Sequence, residues 1–221
     1  MLVAGGLAGV ATAGVTFTFD DPAPGAEFSY SSASNEITYV GANVDFVVED
    51  DDGAADGITF PTFSAEAVFS FTGTISNLQS FTVPFVGDIV IGTVEATFEW
   101  REAGSNDLIL SGNFTQGNVT LTPSGFNISA NNASALEYSI GSVLEANGLA
   151  GLEFVGSEDA NWTLTNTAFP ASAPTSGTGD DLVLNSFTSN SAFSGSATVI
   201  PSPGSFAMLV AAMGLAIRRK R

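Results

Sequence analysis

The sequence has no cysteine and no histidine, and only five of its 221 residues are basic. Each absence removes a class of chemistry. Without Cys there is no disulfide framework, no thiolate nucleophile and no thiolate zinc site. Without His there is no Ser-His-Asp triad and no imidazole base. The single lysine, Lys220, stands at the chain's end, so the body offers no amine for a Schiff base. The other end-group cations are Arg218, Arg219 and Arg221, which leaves Arg101 alone against 23 acids. A body so short of cations has nothing with which to neutralise phosphates, which excludes nucleic acid as a partner and argues against an anionic lipid surface. The surplus of acids favours solubility, attracts cations and suits a salty exterior. No catalysis is expected, since only carboxylate or calcium-assisted chemistry is left. With no cross-links, stability must come from a core large enough to hold itself, and the length suits one all-β domain.

What is present reads as β. Phe, Val and Thr are abundant, Gly and Asn punctuate, and helical periodicity is scarce. Phe17 and Phe19 alternate with Thr16 and Thr18. Val44, Phe46 and Val48 alternate with Asp45 and Glu49. Ile58, Thr59 and Phe60 predict a strand, as do Val68, Phe69 and Phe71. The clearest pattern is residues 93–101, with Val94, Ala96, Phe98 and Trp100 on one face and Glu95, Thr97, Glu99 and Arg101 on the other. A turn at residues 104–107 leads to Leu108–Leu110, and short strands follow around Phe114, Val119, Phe126 and Trp162. Residues 135–146 read both ways, as an alternating strand at Leu136, Tyr138 and Ile140 and as a helical turn beyond. Residues 169–179, rich in Pro, Ser, Thr and Gly, predict a loop. Strands at residues 182–184 and 197–199 close the domain. Many short strands with one polar face each predict an antiparallel two-sheet β-sandwich, jelly-roll-like, with a closed β-barrel as the alternative.

Both ends of the chain read as targeting segments. Residues 1–13 form an apolar run ending Ala11-Thr12-Ala13, which predicts a signal peptide cut after Ala13, although a charged n-region does not precede it. The ectodomain would then occupy residues 14–199. The tail, residues 200–221, begins with Pro201-Ser202-Pro203-Gly204, where proline ends any strand. An uncharged run of 12 residues, 206–217, follows, with Phe206, Leu209, Val210, Leu215 and Ile217 as its large members. As a C-terminal helix at ~1.5 Å per residue it covers ~18 Å, short of the ~20 apolar residues usual for a span. Bilayer thinning and the basic stop, Arg218, Arg219, Lys220 and Arg221, would offset part of the mismatch and set a cytoplasmic end.

On these residues the tail resembles the PEP-CTERM sorting signal of Gram-negative, exopolysaccharide-producing bacteria. Pro201 and Pro203 match the two prolines, and Ser202 stands where that motif has Glu. The resemblance is confined to about a tenth of the chain. It implies an exosortase-like transpeptidase as partner, export, and a transient or permanent membrane anchor at the cell envelope or surface. It implies nothing about the chemistry of the ectodomain.

Three candidate sites lie in the body. Glu95 and Glu99 share a face, but four strand residues separate them by ~13 Å, beyond the ~5–9.5 Å that glycoside hydrolysis needs; they read as surface acids, with Arg101 pairing Glu99. The densest acidic cluster holds Asp50, Asp51, Asp52 and Asp56 around Gly53, a set of hard oxygens that would suit calcium, the one cofactor considered. EF-hand spacing fails there, because Val48 and Thr59 would fall at the first and last ligand positions. The other reading of this cluster is an exposed hairpin loop. Trp100, Trp162, Tyr30, Tyr39 and Tyr138 would serve either as stacking platforms for extracellular polysaccharide or as core. Sequons occur at Asn113, Asn118, Asn127, Asn132 and Asn161. Together these features predict an exported structural protein of the surface or matrix, with a carbohydrate-binding module as second reading and a carboxylate-dependent glycan hydrolase or lyase as third.

Overall fold

Alternation of large apolar with small polar residues turns almost the whole chain into strands, because one face of each can be buried while the other stays wet. In the computed structural model, residues 12–19, 28–39, 43–51, 59–123, 125–156, 158–171 and 173–201 are described. They form β1 (Ala13–Phe19), β2 (Phe28–Ser31), β3 (Glu36–Tyr39), β4 (Val44–Asp50), β5 (Phe63–Val83), β6 (Gly87–Glu102), β7 (Leu108–Thr122), β8 (Gly125–Asn131), β9 (Glu137–Ile140), β10 (Leu152–Phe154), β11 (Asp159–Ala168), β12 (Thr175–Ser176), β13 (Val183–Leu184) and β14 (Phe187–Pro201).

All ladders are antiparallel, and the all-β class expected from the sequence is what the structure shows. The strands join into one large sheet plus the small β12–β13 pair, and the ladders alone do not divide it into two layers. Followed strand to strand, β1 pairs β4, β4 pairs β5, then β6, β7, β8, β11 and β14 follow in turn, and β14 pairs β1. The hydrogen bonding therefore returns to its start. The β2–β3 hairpin makes a second bridge between β14 and β5. β9 extends the wall beside β7 and β10 beside β14.

The core is aromatic. Trp100 stacks on Phe46 at 4.7 Å and on Phe69 at 4.8 Å, with Phe193 tilted against it at 4.8 Å. Trp162 meets Phe98 at 5.0 Å and Phe71 at 5.1 Å, both edge-on. These contacts run from β5 and β6 on one side to β11 and β14 on the other, so rings fill the space the sheet encloses. Neither indole N–H meets a protein acceptor. That costs about 1–3 kcal/mol per donor, which the ring packing must outweigh.

Several local expectations are refined. Thr59 and Phe60 do not extend the strand: β5 begins at Phe63, after Pro61, which has no N–H to donate. Residues 135–146 contain both readings in succession, strand β9 and then helical turns at Ser142–Leu144 and Glu145–Leu149. Among the described residues of the loop at 169–179, β12 is the one strand, and a 3-10 turn begins at Gly179. The tail helix expected at 206–217 lies outside the described residues, and among those no helix is long and apolar enough to cross a membrane.

Candidate functional site

The sequence points to the two chain ends and the acidic cluster, and the ladder register brings their described parts to one end of the ring. Ala13, the first residue of β1, pairs Val199 near the end of β14. Val15 pairs Asp50 at the end of β4, and the Asp51 N–H donates to the Gly14 carbonyl at 2.9 Å. Pro201, the first residue of the tail motif, is the last of β14 and pairs Leu152. The boundaries drawn at residues 13/14 and 199/200 thus fall just inside paired strand. Ser202, Pro203, Gly204, the apolar run and the basic stop lie outside the described residues, as do Asp52 and Asp56. Asp50 and Asp51 are therefore the only members of the calcium candidate that are described. Among the described residues no three acids gather as a metal-holding group.

A polar network lies where β9, β11 and β14 meet. The Tyr138 hydroxyl donates to the Asp159 carbonyl at 2.6 Å, and Ser196 Oγ donates to Asp159 Oδ1 at 2.8 Å. Burial first, then the neighbouring Asp159 and Glu158 charges, push the Tyr138 phenol well above its ordinary range. Glu158 is only 8% exposed, and its N–H is held by Asn132 Oδ1 at 3.1 Å. Burial, followed by repulsion from Glu137, raises its carboxyl, and the Tyr138 N–H opposes this by donating to it. The network ties wall segments together and opens into none of the grooves described below.

The outer face of β5, β6, β7 and β9 carries a groove of about 350 Å³ lined by Ser70, Thr72, Thr97, Glu99, Ser111 and Asn113. A neighbouring groove of about 400 Å³ takes in Glu95. A third, of about 850 Å³, lies between β5 and the β12–β13 arm and has Asp180 as its one carboxylate. Each groove holds a single acid, whereas glycoside hydrolysis needs two facing each other. Glu99 is instead gripped by Arg101, Nε to Oε1 at 2.9 Å and Nη2 to Oε2 at 3.0 Å. That hydrogen bond, with the Glu99 charge, raises the guanidinium's pKa.

The aromatic platforms are corrected. Trp100, Trp162, Tyr30, Tyr39 and Tyr138 are all buried, so none faces a sugar. The sequons also gain a physical reading. Asn113, Asn118, Asn127 and Asn161 point outward along strands, and the residues that follow them, Phe114, Val119, Ile128 and Trp162, are core. Outward Asn, inward apolar, outward Thr or Ser is what a period of two writes into a Thr- and Asn-rich sheet.

Sequence reasoning missed the long β5–β6 hairpin beyond Gly73. Its signal was present: Val83-Pro84-Phe85-Val86-Gly87 separates two β-rich runs, and Gly87 takes φ 108° at the turn. The fold defines an all-β protein with a closed run of ladders, an aromatic interior and a hydroxyl- and amide-rich exterior. Compared with known proteins, the chain matches no family model, no curated protein and no solved structure.

Proposed function

We propose that this is an exported structural protein of a bacterial cell surface or extracellular matrix, without catalysis, carried there by a PEP-CTERM-like tail and an exosortase-like transpeptidase. The observation that supports this best is the pairing of Ala13 with Val199. The described residues next to the two terminal segments lie side by side at one end of the wall, so in this reading that end faces the envelope and the other projects. The single acid in each groove supports a role without hydrolysis or elimination. We read the scaffold as a flattened closed barrel whose two broad sides correspond to the layers of a jelly roll; the return of the ladders to β1 supports this. The test is the intact mass of the protein from native membranes and from medium. Loss of the N-terminal run and of the tail near Pro203 is the expected result; a mass retaining Met1 and Arg221 in both fractions would overturn the reading.

A second reading is binding of the producer's own polysaccharide in the Ser-, Thr- and Asn-lined groove over β5–β7, whose hydroxyls and amides suit sugar hydroxyls. It predicts retention on an exopolysaccharide column that Thr97→Trp abolishes. Passage of the wild type straight through such a column would remove it.

A further inference from the structure

The closed run of ladders has one long gap. On the side of β5 away from β6, β4 covers residues 63–67 and β3 covers 72–74, and the Ile75 N–H donates to the Asn35 carbonyl at 2.9 Å. Beyond that point, among the described residues, no strand pairs with this side of residues 77–83; their other side bulges at residues 77–78, with Asn77 at φ 53°, and then pairs β6 from Gln79 to Val83. Alternate residues there point N–H and C=O outward, a ready template for an added strand. The 850 Å³ groove runs along this edge, with the β12–β13 arm on its far bank.

Three further observations mark the same place. Six large apolar side chains are exposed among the described residues, and Phe81, Phe85, Val86 and Val183 all border this edge. Phe85, at the hairpin tip, is 110% exposed. Residues 67–87 carry no charge in a chain of net charge −18. The register also places most acids far away: Glu66, Glu99, Glu102 and Asp107 lie at the opposite end of β5, β6 and β7, and Glu153 pairs Ile200 beside the tail exit.

We infer that two copies of this chain pair antiparallel along residues 77–83 of β5, about a two-fold axis near Ser80. Copies of so acidic a protein repel one another wherever their acids meet, and the uncharged run 67–87 brings no acid of its own to this edge, whose neighbouring acids include Asp88, bound by the Thr82 hydroxyl, and Asp180 across the groove. An antiparallel edge is self-complementary, so the same segment serves both partners. Phe85 and Val86 of each copy then lie beside the β2–β3 turn of the other and leave water. Seven residues a side is a small interface, so the dimer is weak in dilute solution. Copies tethered to one surface meet at far higher effective concentration. The inference stands on the edge and does not depend on how the tail is processed.

The absence of native cysteine makes the test clean. Antiparallel neighbours have Cα atoms ~4.5–5.5 Å apart, within the ~4.4–6.8 Å a disulfide spans. Ser80→Cys in the full chain, which faces its own copy across the axis, should yield disulfide-linked dimer under mild oxidation, as should a mixture of Gln79→Cys and Phe81→Cys chains, whose cysteines face each other, with Thr97→Cys on the outer wall as control. Sedimentation of the wild type should show dimer growing with concentration. Ser80→Lys, which sets two like charges across the axis, should weaken it at least tenfold while leaving the circular dichroism unchanged. A wild type that stays monomeric at every concentration would overturn the inference, as would a dimer that Ser80→Lys does not touch. Cross-linking at position 80, and between positions 79 and 81, no faster than at position 97 would also overturn it. Either of the last two results would assign any association to the chain ends.

Discussion

Gly112→Ala should be a strongly damaging single-methyl change in the wall. Gly112 sits on the inward face of β7, and a Cβ built there lies 2.3 Å from Phe98 Cζ and 2.7 Å from Cε2. Carbon atoms rest at ~3.5–4.0 Å, so the ring would have to retreat by more than ~1 Å. It has nowhere to go. Trp162 stands 5.0 Å from it, Trp100 5.3 Å, Tyr138 5.8 Å and Phe114 6.2 Å, centroid to centroid. The backbone cannot yield either, because the Glu137 carbonyl lies 3.0 Å from the same Cβ. Overpacking costs about 1–3 kcal/mol, and with both escapes blocked the upper value applies. For a chain of this size ~3 kcal/mol lowers Tm by roughly 6–12 °C. The assay is thermal and urea unfolding followed by the fluorescence of Trp100 and Trp162. Gly125→Ala, where a Cβ meets nothing within 4 Å, is the control and should stay within about 0.5 kcal/mol. Phe98→Leu removes the obstructing ring edge. In the double variant the two costs should therefore fall short of their sum by at least ~1 kcal/mol. A Gly112→Ala protein as stable as the Gly125→Ala control, or strict additivity with Phe98→Leu, would refute the packing described here.

Glu158→Gln should stabilise the protein at alkaline pH and not at acid pH. The folded state raises this carboxyl, so the folded protein holds the proton more tightly. That stability is fully present below the unfolded pKa and is lost as pH rises through the folded one. The difference in Tm between variant and wild type should therefore open upward from the ordinary carboxylate range; a difference that grows toward acid pH would reverse the assignment. Tyr138→Phe should lower Tm at neutral pH by freeing the Asp159 carbonyl and blunt the alkaline fall in stability, read from a pH series of melts. Arg101→Gln should lower Tm only slightly, and the loss should vanish in about 1 M salt, because its pair with Glu99 is exposed and screened. Phe85→Ser should leave folding untouched, within about 0.5 kcal/mol, while reducing the concentration-dependent dimer; a large drop in Tm would mean the tip packs on the body.

Much of the wall was legible because burial writes itself into a strand with period two. Phe17 and Phe19, Val44, Phe46 and Val48, and Val94, Ala96, Phe98 and Trp100 all face inward as their alternation requires. The Arg101–Glu99 pair was legible for the same reason, since both residues take the outward parity of one strand. The partners of those strands were not. β1 lies beside β14, and Phe17 pairs Gly195, a contact across almost the whole chain that no local pattern encodes. The aromatic residues were ambiguous one at a time. Tyr138 could be told from a sugar platform only once β9 was seen to bury it against Phe17 at 5.1 Å and Phe98 at 5.8 Å. The outer half of β5 was missed because it obeys no burial rule. Ser80, Phe81 and Thr82 are all exposed, so period two disappears where the strand leaves the body.

That lapse of pattern is itself informative when set against charge. A strand held on both faces by its own protein alternates; a strand that runs on into the hairpin burying little beyond part of Leu78 is retained against the entropy of ordering it. At the tail-exit end, acids crowd the strand termini: Asp50 on β4, Glu66 on β5, Glu102 on β6 and Glu153 on β10. At the hairpin end, Asp88 follows an uncharged run that ends in Phe85 and Val86. Among the described residues the hairpin end is apolar, open along β5 and poorer in acids than the tail-exit end, with Asp88 and Asp180 nearby. The densely acidic ends repel one another more strongly than the hairpin ends do. Proteins fixed at a surface by the acidic end would therefore present the β5 edge outward, where other copies present the same edge.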